Sequence, residues 1–79
     1  MIHEALDEVW AEFWSSTKKH GGFASGHEAV GVIDEEFMEF KSAVYWRVDQ
    51  RGRPSDPYDE AVQLAAMAVK FMVIFGKGS

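Results

Sequence analysis

The sequence contains no cysteine, and this absence excludes two common ways of stabilising a small protein. A chain without thiols forms neither a disulfide framework nor a thiolate zinc site. The three histidines, His3, His20 and His27, are scattered and lack the spacing of zinc ligands. A chain of 79 residues buries only about 60% of its unfolded surface, so a single core is marginal. We therefore expect additional stability from oligomerisation or from a bound cation.

Basic residues are scarce as well. Eight Lys and Arg against 13 Asp and Glu give a formal net charge of −5. Non-specific binding to nucleic acid requires a basic surface that displaces counterions from phosphates, and no candidate recognition helix is basic. We expect no nucleic-acid partner, and a small anionic ligand would need a metal ion or a local basic patch.

Long hydrophobic runs are missing too. The most apolar stretch, residues 61–75, includes Gln63 and Lys70 and is too short and too polar to span a bilayer core of about 30 Å. Met1 is followed closely by His3 and Glu4 and not by the basic and apolar regions of a secretion signal. The expectation is a cytoplasmic protein with no membrane partner.

Apolar residues recur at helical spacing in three segments. We predict helices at about residues 2–16, 26–51 and 57–75 within one domain covering residues 1–79. The polar, glycine-bearing residues 17–25 are expected to form a loop.

Several residues match the chemistry of helix ends. Ser25 and Glu28 have the spacing of a capping box at the start of the second helix. Gly52 is expected to end that helix in a left-handed conformation. Asp56 as N-cap and Pro57 at the first helical position predict the start of the third helix.

Two helices have a predicted core-facing side. In the first helix we place Trp10 in the core. The predicted apolar face of the second helix comprises Val30, Ile33, Phe37, Phe40, Val44 and Val48.

The third helix is apolar almost all round. Two partner helices within one small chain can hardly cover it, and its alanines allow close helix approach. We predict an all-α fold with three helices per chain, completed to a four-helix-type bundle by homo-oligomerisation as a dimer or tetramer.

Side chains with carboxylate or amide oxygens occur at helical spacings of three in two of the predicted helices. Glu36 and Glu39 form one such pair, and Glu60 and Gln63 form another. Side chains three apart share a face, so facing helices would bring four oxygen-bearing groups together. Oxygen ligands of this kind suit Mg²⁺ or Mn²⁺. A competing interpretation is a solvated acidic surface, with Glu60 merely favoured near a helix N-terminus.

Two stretches of the sequence resemble a known family. HEAVGVIDEEFMEF at residues 27–40 and EAVQLAAMAVKF at residues 60–71 are similar to the MazG-type all-α nucleoside triphosphate pyrophosphohydrolases, especially the short phage and bacterial MazG-like proteins. The preceding KHGGFAS segment is similar as well, so the resemblance covers about residues 18–72. It implies Mg²⁺-dependent hydrolysis of a nucleoside triphosphate to the monophosphate and pyrophosphate.

The resemblance also implies roles for individual residues. Glu36 and Glu39 match the metal-binding carboxylates of the first motif, Glu35 its leading glutamate, and Glu60 the glutamate of the second motif. Gln63 stands where the enzymes usually have aspartate, and an amide oxygen coordinates Mg²⁺ without negative charge. We expect Glu36, Glu39, Glu60 and Gln63 to bind the metal ion, and Glu35 or Glu36 to position and deprotonate the attacking water.

The available phosphate-side cations lie in the two connections. We take Lys18, Lys19, Arg47 and Arg51 as candidate substrate-binding residues, and the alternative for each is a purely solubilising role. Gln63 keeps a second functional hypothesis open, that of a non-catalytic helical interaction or regulatory module.

Overall fold

Three helices make up most of the chain. The computed structural model describes residues 1–77, in which α1 spans Ile2–His20, α2 spans Gly26–Trp46 and α3 spans Pro57–Phe75, with no strand element. The all-α prediction is confirmed at this level. None of the three described helices combines the length and apolar character needed to cross a membrane.

Side-chain caps fix the starts of α2 and α3 as the sequence predicts. The Ser25 hydroxyl accepts a hydrogen bond from the Glu28 N–H at 3.1 Å, and the Glu28 carboxylate accepts one from the Ala24 N–H at 3.2 Å. The Asp56 carboxylate accepts from the Tyr58 N–H at 2.9 Å. Each cap satisfies a backbone donor that has no partner inside its helix.

The end of α1 lies further along the chain than predicted. The helix continues past residue 16 to His20, and Gly21 then takes a positive φ of 72°. Its last turn carries Lys18, Lys19 and His20, and cations there are favoured by the negative end of the helix dipole. The predicted loop at residues 17–25 is therefore too long. Polar residues alone do not end a helix, and α1 ends only where the glycine at position 21 follows.

The end of α2 comes earlier than predicted. Arg47, not Gly52, adopts the left-handed conformation that closes the helix, with its N–H donating to the Ala43 carbonyl at 3.0 Å. Asp49 then organises a tight turn, because its carboxylate accepts from the N–H groups of Arg51 at 2.8 Å and Arg53 at 2.9 Å. An aspartate that bonds nearby backbone groups competes with helix continuation, and this explains the shorter helix.

Both α1 and α2 pack against α3, which is the central helix. Within the described residues, no Cα atom of α1 comes within 8 Å of one in α2. One hydrophobic cluster joins the three helices and the first loop, and its buried members are Phe13, Phe23, Ala29, Ala66 and Met67. The arrangement leaves an open space between α1 and α2.

Two predictions about the core are wrong, one for Trp10 of α1 and one for part of the apolar face of α2. Trp10 is 58% exposed, and Phe13 and Ser16 are the buried residues of α1. In α2 the fully buried residues are Ala29 and Ala43, whose small side chains allow close approach to α3.

The α2 residues Val30, Phe37 and Val44 were predicted to be buried but are exposed in this chain. The buried side of α2 is therefore rotated away from them. We call these three residues the α2 stripe.

Candidate functional site

The space between α1 and α2 forms a cleft of about 620 Å³ with α3 as its floor. We call it the central cleft. It is lined by Glu12, Ser15, Ser16, Lys19 and His20 of α1, Gly22 and Phe23 of the loop, Glu28, Val32, Glu35 and Glu36 of α2, and Gln63, Met67 and Lys70 of α3. All three helices thus contribute to one concave surface.

A second space of about 450 Å³ adjoins the central cleft. We call it the acidic pocket. It is lined by Glu35, Glu36, Glu39, Asp59, Glu60 and Gln63, with Asp49, Arg51 and Arg53 of the turn after α2. Glu35, Glu36 and Gln63 line both spaces, so they lie at the junction. The predicted catalytic and metal-binding residues therefore all line this pocket.

Glu36 is the carboxylate of the acidic pocket whose pKa is raised. Burial raises its pKa above the ordinary value of 4.5, and the negative charges of Glu60, Glu39, Glu35 and Glu12 raise it further, in that order. Glu36 of α2 and Glu60 of α3 thus line the same pocket and are close enough for the charge of one to act on the other. The Glu36 side chain is partly buried, whereas its neighbour Glu35 is exposed.

Glu60 is oriented by a residue that the sequence analysis did not single out. The Ser55 hydroxyl donates to the Glu60 carboxylate at 3.1 Å, and both side chains are partly buried. Ser55 is itself held because its N–H donates to the Arg47 carbonyl at 3.0 Å. The turn after α2 thus positions a carboxylate of α3, beside Asp59 on the same pocket wall.

The pocket does not hold a ready-made metal centre. No three His, Cys, Asp or Glu side chains within residues 1–77 converge in a geometry that could hold an ion. The oxygen donors that surround the pocket nevertheless have the chemistry that Mg²⁺ prefers, and Gln63 adds an amide oxygen to them.

The four candidate phosphate-binding cations do not lie together. Lys19 lines the central cleft, and Arg51 lines the acidic pocket. Arg47 lines a separate shallow depression, and Lys18 is exposed and lines none of these surfaces. Lys19 and Arg51 are therefore the better-placed members of the set.

Lys70 is a cleft residue whose role the sequence analysis missed. It is only 3% exposed, although lysine is rarely buried without a partner. Its ammonium donates to the Ser16 hydroxyl at 3.4 Å and lies 5.1 Å from the centre of the Phe23 ring. The sequence does indicate that Lys70 is unusual, because it is the only charged residue between residues 61 and 75 and lies two helical turns after Gln63.

Comparison with known proteins adds no assignment. No protein-family model, curated protein or solved structure gives a significant match to this chain. The chemical interpretation therefore depends on the residues themselves and on the resemblance of the two motifs.

The geometry limits what the site can do. In the acidic pocket, five carboxylates around a partly buried glutamate repel a bare polyphosphate, and a cation or protons must lower that repulsion before one binds there. The same glutamate, with its raised pKa, is better suited to accept a proton near neutral pH than an ordinary surface glutamate.

Proposed function

We propose that this chain is a MazG-like protein that binds nucleoside triphosphates with Mg²⁺ and hydrolyses them to the monophosphate and pyrophosphate. The observation that supports this proposal is that Glu36 of α2 and Glu60 of α3 line one pocket, in which burial and then the charge of Glu60 raise the pKa of Glu36. Perturbed carboxylates in a cleft are typical of functional sites. The pairing also matches the two motifs on which the family resemblance depends.

The residues present fit a hard divalent cation by their donor chemistry. Glu36, Glu39 and Glu60 supply carboxylate oxygens, and Gln63 supplies an amide oxygen. The raised pKa of Glu36 indicates that its ionised form lacks compensation in the chain alone. When bound, Mg²⁺ would neutralise phosphate charge and orient the phosphorus for attack.

The protein's own groups have separate tasks in this proposal. Glu35 and Glu36, at the junction of the two spaces, position a water molecule and accept its proton. Glu60, fixed by Ser55, holds the opposite wall of the pocket. Arg51 at the rim of the pocket and Lys19 in the central cleft bind phosphate oxygens through charge-assisted hydrogen bonds.

A non-catalytic helical module is the second candidate function. Gln63 favours it, because an amide brings no negative charge and cannot act as a base. In this alternative the chain keeps the helical arrangement and the clefts but turns over no nucleotide.

Pyrophosphate release separates the two functions. The purified protein is incubated with canonical and modified nucleoside triphosphates plus Mg²⁺ or Mn²⁺, with and without a chelator. Release that disappears with the chelator and in Glu36→Ala and Glu60→Ala supports the hydrolase. Asp34→Asn is the matched control, because Asp34 is exposed on α2 and lines neither space. No release and no cation-dependent rise in Tm support the non-catalytic module.

We further propose that the chain forms a homo-oligomer. Its accessible surface is 5804 Å², whereas a compact monomer of 8.9 kDa exposes about 4,800 Å². The excess of about 1,000 Å² is comparable to the roughly 800 Å² that each partner buries in a standard interface. The α2 stripe offers a surface for a second copy, since its residues repeat every seven positions along one side of the helix.

A further inference from the structure

Lys70 is a buried cation with no ion-pair partner within residues 1–77. Its side chain is 3% exposed and forms part of the wall of the central cleft. In the described residues the salt bridge found is that of Arg53 with Asp49, and Lys70 has only the Ser16 hydroxyl and the Phe23 ring as polar or π partners. A buried charge without a counter-charge is costly, which raises the question of what compensates it.

Further cationic groups lie in the same part of the cleft. Lys19 and His20 belong to the last turn of α1, the turn that follows Ser16, and both line the central cleft. A multiply charged anion at Lys70 would therefore meet a second ammonium group and an imidazole. Clusters of this kind, combined with a hydroxyl, are typical of phosphate-binding sites.

In the described part of the chain, the carboxylates that line the central cleft form no hydrogen bond or ion pair with Lys70. Glu28 accepts the N–H of Ala24 at the start of α2. Glu36 lies among the acidic groups that raise its pKa, Glu12 included. Lys70 is seven residues from Gln63 on α3, a separation of about 10 Å along the helix. Glu35 and Glu36 lie with Gln63 at the junction of the two spaces, and Lys70 lies about two turns further along α3.

We propose that the end of the central cleft formed by Lys70, Ser16, Lys19 and His20 binds a phosphate-bearing anion without the help of a metal ion. The Lys70 ammonium supplies the charge, and the Ser16 hydroxyl supplies a hydrogen bond from its rotatable O–H. The volume of about 620 Å³ is within the range of small-molecule sites. The site does not depend on the proposed hydrolysis, since inorganic phosphate or pyrophosphate is a sufficient ligand.

A purely structural role for Lys70 makes a different prediction. If the lysine only packed on Phe23, an apolar residue of similar length would fill the same space without a buried charge. Replacing buried charges by well-packed apolar groups is often neutral or stabilising. The ligand-free protein and the anion-bound protein should therefore respond in opposite directions to Lys70→Met.

The test measures pyrophosphate binding in the presence of a chelator, by calorimetry and by the rise in Tm. The wild-type chain is expected to bind pyrophosphate and to gain thermal stability. In Lys70→Met we expect a ligand-free Tm equal to or above that of the wild type, with pyrophosphate binding at least about tenfold weaker. Lys70→Arg should retain most of the binding because it keeps the charge.

Lys41→Met is the matched control. Lys41 lies over the Phe37 ring on the outside of α2 and lines neither the central cleft nor the acidic pocket. The Lys41→Met change removes one positive charge, as Lys70→Met does, and should leave pyrophosphate binding unchanged. Ser16→Ala, which keeps Lys70, provides a second test and should weaken binding as well.

Two results would overturn this proposal. One is a wild-type chain that does not bind pyrophosphate or inorganic phosphate without metal. The other is a Lys70→Met or Ser16→Ala chain that binds as tightly as the wild type. Neither result depends on turnover, so a chain that hydrolyses no nucleotide but binds pyrophosphate through Lys70 supports this site while contradicting the hydrolase.

Discussion

Glu36 of α2 and Glu60 of α3 line the same pocket, where burial raises the pKa of Glu36 and the charge of Glu60 raises it further. The two helices that carry them pack closely against each other, and Ser55 fixes the Glu60 carboxylate. The chain therefore maintains a like-charge pair at a partly buried position. Such a pair lowers stability unless a proton or a cation compensates it.

The first prediction concerns Glu36→Gln in metal-free buffer. Because the pKa of Glu36 is higher in the folded chain than its ordinary value, its contribution to stability is fully present below about pH 4.5. This contribution is lost as the pH rises through the folded-state pKa. Glutamine resembles the protonated form, so the variant should have the higher Tm at neutral pH, and its advantage over the wild type should shrink toward pH 4.5.

The measurement is Tm against pH for both chains with a chelator present. The groups that face Glu36 are Glu60, Glu39, Glu35 and Glu12, and they remain identical in the two chains. Asp34→Asn removes one charge from the same helix outside the two spaces and serves as the control. If the difference in Tm between wild type and Glu36→Gln were the same at every pH, the raised pKa of Glu36 would be contradicted.

The second prediction is that Ser55→Ala affects cation binding more than stability. Loss of the hydrogen bond to Glu60 should reduce the free energy of unfolding by about 1 kcal/mol and should weaken Mn²⁺ binding because the carboxylate is no longer oriented. Ser42→Ala is the matched control, since the Ser42 hydroxyl donates to the Val48 carbonyl at 2.7 Å and Ser42 lines neither space. Equal weakening of Mn²⁺ binding in both variants would show that Ser55 has no specific role.

The third prediction is that Gln63→Asp strengthens cation binding. The change adds a carboxylate to the acidic pocket, so the ligand-free chain should lose stability while the rise in Tm on adding Mn²⁺ becomes larger. Gln50→Asp adds the same charge outside the acidic pocket and should leave the effect of Mn²⁺ unchanged. If Gln63→Asp binds Mn²⁺ no better than the wild type, Gln63 is not among the ligands.

The fourth prediction addresses oligomerisation through the α2 stripe. We expect light scattering after size-exclusion chromatography to give at least twice the chain mass of 8.9 kDa. Phe37→Glu introduces a charge at the centre of the stripe and should shift the mass to that of the monomer. Leu6→Glu introduces the same charge at an exposed apolar residue of α1 and should keep the wild-type mass. A monomeric wild type at every concentration would contradict the proposal.

The helices and their N-terminal caps could be predicted from the sequence because their signals are local. Ser25 and Asp56 act on backbone groups two or three residues away, and both predictions are confirmed. The C-terminal ends were less predictable. Polarity predicts a loop at Lys18 and Lys19, but both belong to α1. The hydrogen bonds of Asp49 to nearby backbone N–H groups, which accompany the early end of α2, are not evident from the sequence.

The orientation of the helices could not be predicted in the same way. Both Ala29 and Val30 are apolar, and only the close approach of α3 decides that Ala29 is buried and Val30 exposed. Burial of Lys70 likewise depends on three-dimensional packing, because the Ser16 and Phe23 that surround it are about 50 residues away in sequence. The acidic motifs were recognised because their spacing on each helix is a local property.

The most direct test of the central claim is a crystal structure with Mn²⁺ and a non-hydrolysable nucleoside triphosphate, with data collected for anomalous scattering. We predict an anomalous peak in the acidic pocket within about 2.5 Å of carboxylate oxygens from both α2 and α3, Glu36 and Glu60 among them. The account would be contradicted if the acidic pocket showed no such peak at saturating Mn²⁺ and the carboxylates of Glu36 and Glu60 were directed to separate regions of solvent.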